Sequence, residues 1–555
     1  MKEPMDHYSI MQLPQQPMQK TVSRMRFAPI MSVLALAAYH GESRAADNAT
    51  GDALAVPDVS PERKTPASQP AAQQNEPEAR SQSSGPTSSL TYPSPVSPST
   101  EVQQMLVEQK TPPADSVAAK SVDVVPNPAP TPAPNPPGPT PLTWFGVTLY
   151  GVVDVGLAHL SHGAPPSNSY GPGLPYIVQS FSNRSTTSVA GNGLSQSKLG
   201  LSGVEPLGAS DLKAVFKLET GFQPTTGRLT DGPKSLTDNN GRANGDKVTA
   251  GDSARAGQLF QGAAFAGVSS ARLGTLTFGR QNSLMADELL KYDPQLQSQA
   301  FSPIGFSGTA GGLGATEDRI LDDSLKYTVG YGPVHLAALY QFGSRSFLPG
   351  GSESLAAGWD YGGLSVDFLW GRVHDAIAAA SLTAAQNVAA PGTLAATASD
   401  NTAYAILARY AIRSIKIYAG YEYITYANPE DPVPNGTVAP GGYVLSVVNN
   451  TAFTIHKVLQ YAWIGARYSI VPSLDVSGAY YQFRQNSYNV NGCSDTSSSS
   501  CSGVYHDASL VADWKLSLRF DVYGGINYSR AMDGMASGFL NEHNWTSMLG
   551  IRFVF

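Results

Sequence analysis

No apolar run in the chain approaches the ~20 residues that a membrane-spanning helix requires, which argues against a helical membrane protein. Charge is scarce as well: Asp, Glu, Lys and Arg make up 14% of the 555 residues, well below the roughly 25% of a typical soluble domain. Cysteine is nearly absent, with only Cys493 and Cys501. No His/Cys/Asp cluster has metal-ligand spacing, and His335 and His374 stand isolated. No Walker-type glycine motif is present to cradle a phosphate. Asp287-Glu288 resembles a general acid/base pair, but neighbouring carboxylates on one loop are more often simply solvated. The sequence therefore points to no catalysis, no metal and no cofactor. A net charge of −7 argues against nucleic acid as a partner.

Glycine (54) and tyrosine (26) are plentiful. Low charge with this composition fits a membrane β-barrel, while composition alone leaves a soluble all-β protein open. More than half of the prolines precede residue 142. Lys20, Arg24 and Arg26 lead into the apolar stretch Phe27–Tyr39, and Ser43-Arg44-Ala45 offers small residues for cleavage. Residues 1–46 thus read as a signal peptide with an N-terminal overhang. Residues 47–141 hold one aromatic, Tyr92, among Pro, Ala, Ser, Thr and Gln. Such a segment buries too little apolar surface to offset its ordering entropy. It reads as a disordered spacer, with Pro126–Pro141 as extended polyproline II.

From residue 142 to 555 one unit repeats: an alternating segment of about ten residues, a short turn, a second segment, then a longer polar loop. Phe520, Val522, Ile526 and Tyr528 share one face, with Arg519, Asp521, Asn527 and Ser529 on the other. Ala508, Leu510, Ala512 and Trp514 likewise oppose Asp507, Ser509 and Asp513. Period-two alternation means strands with one apolar and one polar face. Their length matches a tilted strand crossing a bilayer, and closure is required because an open edge in lipid leaves backbone groups unpaired. Seven tight connections appear: Pro206–Ser210, Ser269–Leu273, Gly332-Pro333, Gly362-Gly363, Arg413-Ser414, Val471–Ser473 and Lys515–Ser517. Long ones include Ser161–Ser195, Gln223–Gly257, Asp375–Ser399 and Ala427–Val458. The expectation is an all-β fold, a 16-stranded antiparallel transmembrane β-barrel enclosing an aqueous channel. The final strand puts Trp545, Leu549, Ile551, Phe553 and Phe555 toward lipid; Phe553 and Phe555 also read as a signal to the barrel-insertion machinery.

The segment from about 281 to 323 is too long for a turn and too polar for a core. It carries Asp287, Glu288, Asp293, Glu317, Asp318, Asp322 and Asp323 against Lys291 and Arg319. An excursion of this length is usually functional, and it is expected to fold into the barrel and narrow it. Cys493 and Cys501 share one polar loop, where a disulfide is the expected state in an exported chain; a metal site there lacks further ligands.

Val147–Leu157 (VTLYGVVDVGL), Ser197–Glu205 (SKLGLSGVE), Leu212–Phe222 (LKAVFKLETGF), Ala264–Ser270 (AFAGVSS), Gly274–Gln281 (GTLTFGRQ) and Asp323–Val329 (DSLKYTV) resemble the general diffusion porins of Gram-negative bacteria, the beta-proteobacterial type in particular. The resemblance implies a homotrimer of barrels in outer-membrane lipid, each with its third long loop folded inward, passing small hydrophilic solutes and ions. It implies loop acids Asp287, Glu288, Asp293, Glu317 and Asp318 facing wall bases Lys198, Lys213, Lys217 and Arg319. Gly262 stands where relatives commonly carry Arg, which implies a missing rung in that ladder. Arg280 lies on the lipid phase of its strand, and the resemblance implies a role at the subunit interface, against an acid of the 223–257 loop. Two alternatives remain. One is a substrate-specific channel for sugars or carboxylates, since Tyr418, Trp463, Tyr481 and Tyr523 share the lumen phase. The other is an adhesin or structural tether built on the extension and long loops.

Overall fold

The computed structural model describes residues 142–555 apart from 163–183, 209–210, 230–231, 249–258, 307–318, 344–349, 440–441 and 489–497. The expected signal peptide and proline-rich linker lie outside the described residues. Each alternating segment becomes a strand, and sixteen strands make the wall. They begin with β1 (Val147–Leu160), β2 (Lys198–Pro206), β3 (Lys213–Gly221) and β4 (Ala263–Ser270). Next come β5 (Gly274–Asn282), β6 (Ile320–Tyr331), β7 (Val334–Gln341) and β8 (Ser352–Tyr361). They continue with β9 (Leu364–Ala380), β10 (Leu394–Ile412), β11 (Ile415–Ala427) and β12 (Lys457–Val471). The wall ends with β13 (Leu474–Gln485), β14 (Gly503–Lys515), β15 (Phe520–Asp533) and β16 (His543–Val554).

Sequence neighbours pair antiparallel throughout, and β1 pairs with β16 from Val152↔Val554 to Leu160↔Thr546. That pairing closes the barrel. Gly151 and Phe555 exchange backbone hydrogen bonds of 2.9 and 3.0 Å and extend the seam. The expected short connections all join consecutive strands at one end. Gly362 and Gly363 both have positive φ, 59° and 86°, the geometry that lets a two-residue turn follow the twist of its strands.

The two faces follow the alternation. Leu510, Trp514, Ile526, Leu549, Ile551 and Phe553 are exposed on the outside, whereas Asp507, Ser509, Asp513, Asn527 and Thr546 are buried inside. Apolar faces packed on each other, as in a sandwich, are not what forms here. One expected loop is corrected: 375–399 is a hairpin, with strand at 375–380 and 394–399. β9 and β10 stay paired from Ala376↔Ser399 to Ala380↔Ala395, beyond a bulge next to Asp375, and the hairpin is tipped by the helix Ala384–Ala389. Its Ala-rich sequence lacks polar/apolar contrast, but Ile377, Leu394, Ala396 and Ala398 bury themselves against Val433 and Leu445 in a small core of their own.

Candidate functional site

The third long connection runs through the barrel rather than over its rim. Ser283 caps the helix Leu284–Tyr292 by accepting a hydrogen bond from the Ala286 N–H at 3.1 Å. The buried helix residues Leu284, Met285, Leu289 and Tyr292, with Phe301 and Ile304 beyond it, would be wetted in an open lumen. Instead they join one apolar cluster with the wall rings Tyr461, Trp463, Tyr481, Phe483, Tyr505 and Tyr523. Phe301 lies over Gly525, where a Cβ would come within 2.7 Å of the ring. Polar bonds fix the register. Trp463 Nε1 donates to the Tyr292 carbonyl at 3.0 Å. Gln295 donates to Ser509 and accepts from Ser477. Ser298 and the Ala300 N–H both donate to the Gly193 carbonyl, at 2.8 and 2.9 Å.

Gly193 is itself held from the wall. The buried Asp154 carboxylate accepts from the N–H groups of Gly193, Leu194 and Ser195 at 3.2, 2.9 and 2.8 Å, and from the Tyr523 hydroxyl at 2.6 Å. Asp154 thus shapes the turn on which the constriction loop rests. Its place on the lumen phase of β1 was visible in sequence, but its partners were not.

The opposite side of the helix faces β2–β6 across a cavity of about 320 Å³, lined by Lys198, Lys217, Glu219, Gly262, Asp287 and Arg319 among others. The expected loop-to-wall pairing is rearranged there. Lys198 and Lys217 reach a wall acid, Glu219, at 3.2 and 3.3 Å. Asp287 pairs with Lys326 of β6 at 2.6 Å. Arg319 donates to Gln297. Lys213 is exposed near the short-turn end of β3 and does not line the cavity. Glu219 and Lys326 went unnoticed in sequence, although period two places Lys217 and Glu219 on one face.

Asp293 is corrected outright. It has no exposed surface, and it accepts from Tyr481 Oη at 2.6 Å and from the Gln295 and Gln297 N–H groups at 3.1 and 2.8 Å. Burial raises its carboxyl above the ordinary range, against the opposing pull of these donors. It is a loop anchor and not an eyelet acid. The aromatic track is corrected too: Tyr418, Trp463, Tyr481 and Tyr523 are all buried, the last three in the cluster beneath the loop.

Glu288 lies beside His335 and Asp367; burial first, then the Asp367 carboxylate, pushes its pKa up to about 7. Lys291 crosses to the wall acids Asp360 and Asp367 at 3.2 and 3.1 Å. His335 is not isolated, because the topology gathers it with Glu288 and Asp367 into a set of groups able to hold a metal ion. A ladder of ion pairs also runs along the far wall: Arg467 meets Asp475 and Asp513, and Arg552 meets Asp513 and Asp521.

Arg280 is buried on the outward phase of β5. Among the described residues its ion-pair partner is Asp322 at 2.7 Å, and Nε donates to the Gln261 carbonyl; Asp231 and Asp252 of the 223–257 loop lie outside the described residues. Its Nη2 has no hydrogen-bond partner among the described residues. Phe553 is exposed and stacks with Phe555, ring centres 5.9 Å apart. Cys501 is disulfide-bonded. Cys493, Glu317 and Asp318 lie outside the described residues.

The family model described as Gram-negative porin matches residues 114–534. The anion-selective porin from Comamonas acidovorans is similar in fold, with 17% identity, a TM-score of 0.50, and coverage of 74% of this chain and 99% of that one. OmpT of Vibrio cholerae is matched at 14% identity and a TM-score of 0.46, covering 75% of this chain and 99% of that one. No curated protein matches the chain in sequence. With the family model spanning well over half of the sequence and a closed barrel around a charged interior, the chain belongs to the Gram-negative porins, outer-membrane channels for passive diffusion.

Proposed function

We propose that the cavity between the loop helix and the β2–β6 wall is the constriction of a general diffusion pore for small hydrophilic solutes and ions. The observation that carries this reading is the docking of the loop. It spends the lumen aromatics on anchoring and leaves charged side chains to line the open side. A sugar-specific path would need those rings exposed along the route. Among the described residues the cavity lining carries Lys198, Lys217 and Arg319 against Glu219 and Asp287, one surplus positive charge, which favours a mild preference for anions. The test is current across a planar bilayer. Conductance rises in proportion to KCl concentration, sugars at low concentration do not block it, and the reversal potential in a salt gradient has the sign of anion preference. Saturating current or block by a sugar would replace this reading with a specific channel, and no conduction at all would favour a tether.

The same reading makes the protein a homotrimer in outer-membrane lipid, without a catalytic role. It is exported on a cleaved signal peptide within residues 1–46 and inserted by machinery that reads Phe553 and Phe555. Arg280 supports the trimer: a buried ion pair on the outward phase is costly against lipid and better placed against a neighbouring subunit.

A further inference from the structure

A second polar cluster lies on the other side of the loop helix, apart from the cavity just described. Glu288 and Lys291 come from the helix. His335, Asp360 and Asp367 come from β7, β8 and β9, near the turns Gly332-Pro333 and Gly362-Gly363. One donor atom each from Glu288, His335 and Asp367 lies within 4.8 Å of the other two. His335 sits between two carboxylates, with Nε2 2.5 Å from Asp367 Oδ1 and Nδ1 3.3 Å from Asp360 Oδ2. Asp367 is fully buried, and its Oδ2 takes Lys291 Nζ at 3.1 Å and the Tyr292 hydroxyl. Lys291 therefore holds one oxygen of Asp367 and leaves Oδ1 facing His335.

Three features fit a metal ion. The first is charge: Glu288, Asp360 and Asp367 face a single ammonium, Lys291, so the cluster draws a further cation. The second is orientation. A carboxylate on Nδ1 fixes a histidine tautomer and turns Nε2 into a ligand, the outer-shell arrangement of many metal-bound histidines, and Asp360 occupies that place. The third is donor type. One imidazole nitrogen and two carboxylate oxygens suit Zn²⁺ or a similar transition metal, whereas Mg²⁺ and Ca²⁺ favour oxygen alone.

We propose that Glu288, His335 and Asp367 bind a divalent transition-metal ion and so clasp the constriction helix to the wall. On binding, His335 keeps its Nδ1 proton toward Asp360, any proton held between Nε2 and Asp367 passes to solvent, and Nε2, Oδ1 and a Glu288 oxygen become ligands. Glu288 is partly exposed, and its rotation closes the donors to bonds of about 2.0–2.2 Å, with water in the fourth position. Because the ligands come from both loop and wall, the ion restricts the loop as well as adding charge inside the barrel.

The test uses the full protein in detergent, stripped with a chelator and titrated with ZnCl₂ by calorimetry. Expected is one site per chain, lost in Glu288→Gln and in His335→Gln. Asp360→Asn keeps the site but weakens it about 10–100-fold. Titration with CoCl₂ gives visible absorption bands typical of four-coordinate Co²⁺, which the His335→Gln protein does not show. Heat-dependent mobility in gels confirms that each variant holds a folded barrel, and Asp367 is left intact because its burial makes it structural. Binding of Zn²⁺ that is equally tight in wild type and His335→Gln overturns the proposal. So does equal competition by MgCl₂. Neither result touches the conduction measured without zinc, so the site and the pore stand or fall separately.

Discussion

Replacing Asp293 with Ala should release the constriction loop without opening the barrel. The carboxylate accepts from Tyr481 Oη and from two backbone N–H groups, all in a site with no solvent exposure. A buried donor left without its acceptor costs about 1–3 kcal/mol. Three such donors amount to roughly 3–9 kcal/mol, and water entering the vacated site holds the figure toward the lower end. Even 3 kcal/mol shifts the ratio of docked to undocked loop by about a hundredfold. Tyr481→Phe is the graded control, because it removes one bond and should cost about 1 kcal/mol. Barrel closure does not pass through this loop, as β5 and β6 are still paired with each other and with their outer neighbours. Single channels of Asp293→Ala should show higher mean conductance, more current noise and passage of larger sugars in liposome swelling, with unchanged heat-dependent gel mobility. Tyr481→Phe should fall between. Wild-type conductance, noise and size limit in Asp293→Ala would refute the anchoring role.

Three further outcomes are expected. Lys217→Glu changes the cavity from one surplus positive charge to one surplus negative charge, so the reversal potential in a KCl gradient should change sign; an unaltered potential would remove this cavity from the ion path. Asp154→Asn keeps the shape but weakens the cradle around Gly193, and should raise channel noise less than Asp293→Ala does, since it acts through the supporting turn; noise equal to wild type would mean that the turn holds itself. Arg280→Ala should lower the temperature at which trimers separate in detergent while leaving single-channel conductance intact, and trimers of undiminished heat stability would exclude an interfacial role.

Much of the fold was legible because period two and turn chemistry suffice for it. Alternation from Phe520 to Ser529 gives the two faces, and paired glycines at 362–363 give a tight turn. Alternation says whether a side chain points inward, but not its height along the barrel or its neighbour across the lumen. Lys198, Lys217 and Glu219 were therefore separable as inward-facing, yet their mutual pairing was not readable. Asp293 looked like a free acid because the rings and amides that bury it come from β13 and from the loop's own reversal. Tyr481 and Trp463 looked like a binding track for the same reason: a lumen-facing ring serves either solute or loop, and only the path of the loop decides. The pairing of Arg280 with Asp322 was not readable, because the bulge between Gly279 and Gln281, with Gly279 at φ 123°, is what brings Asp322 beside it. His335 looked solitary since Glu288 and Asp367 lie dozens of residues away in sequence.

On the proposed reading the loop helix stands in the path of conducted ions. Asp287 is exposed on the cavity side of that helix, which makes it the place to look. A chain carrying Asp287→Cys, its native cysteines left oxidised, should lose a large part of its single-channel current when a bulky methanethiosulfonate reagent is added, and regain it on reduction. Complete labelling of that cysteine with no change in current would contradict the account.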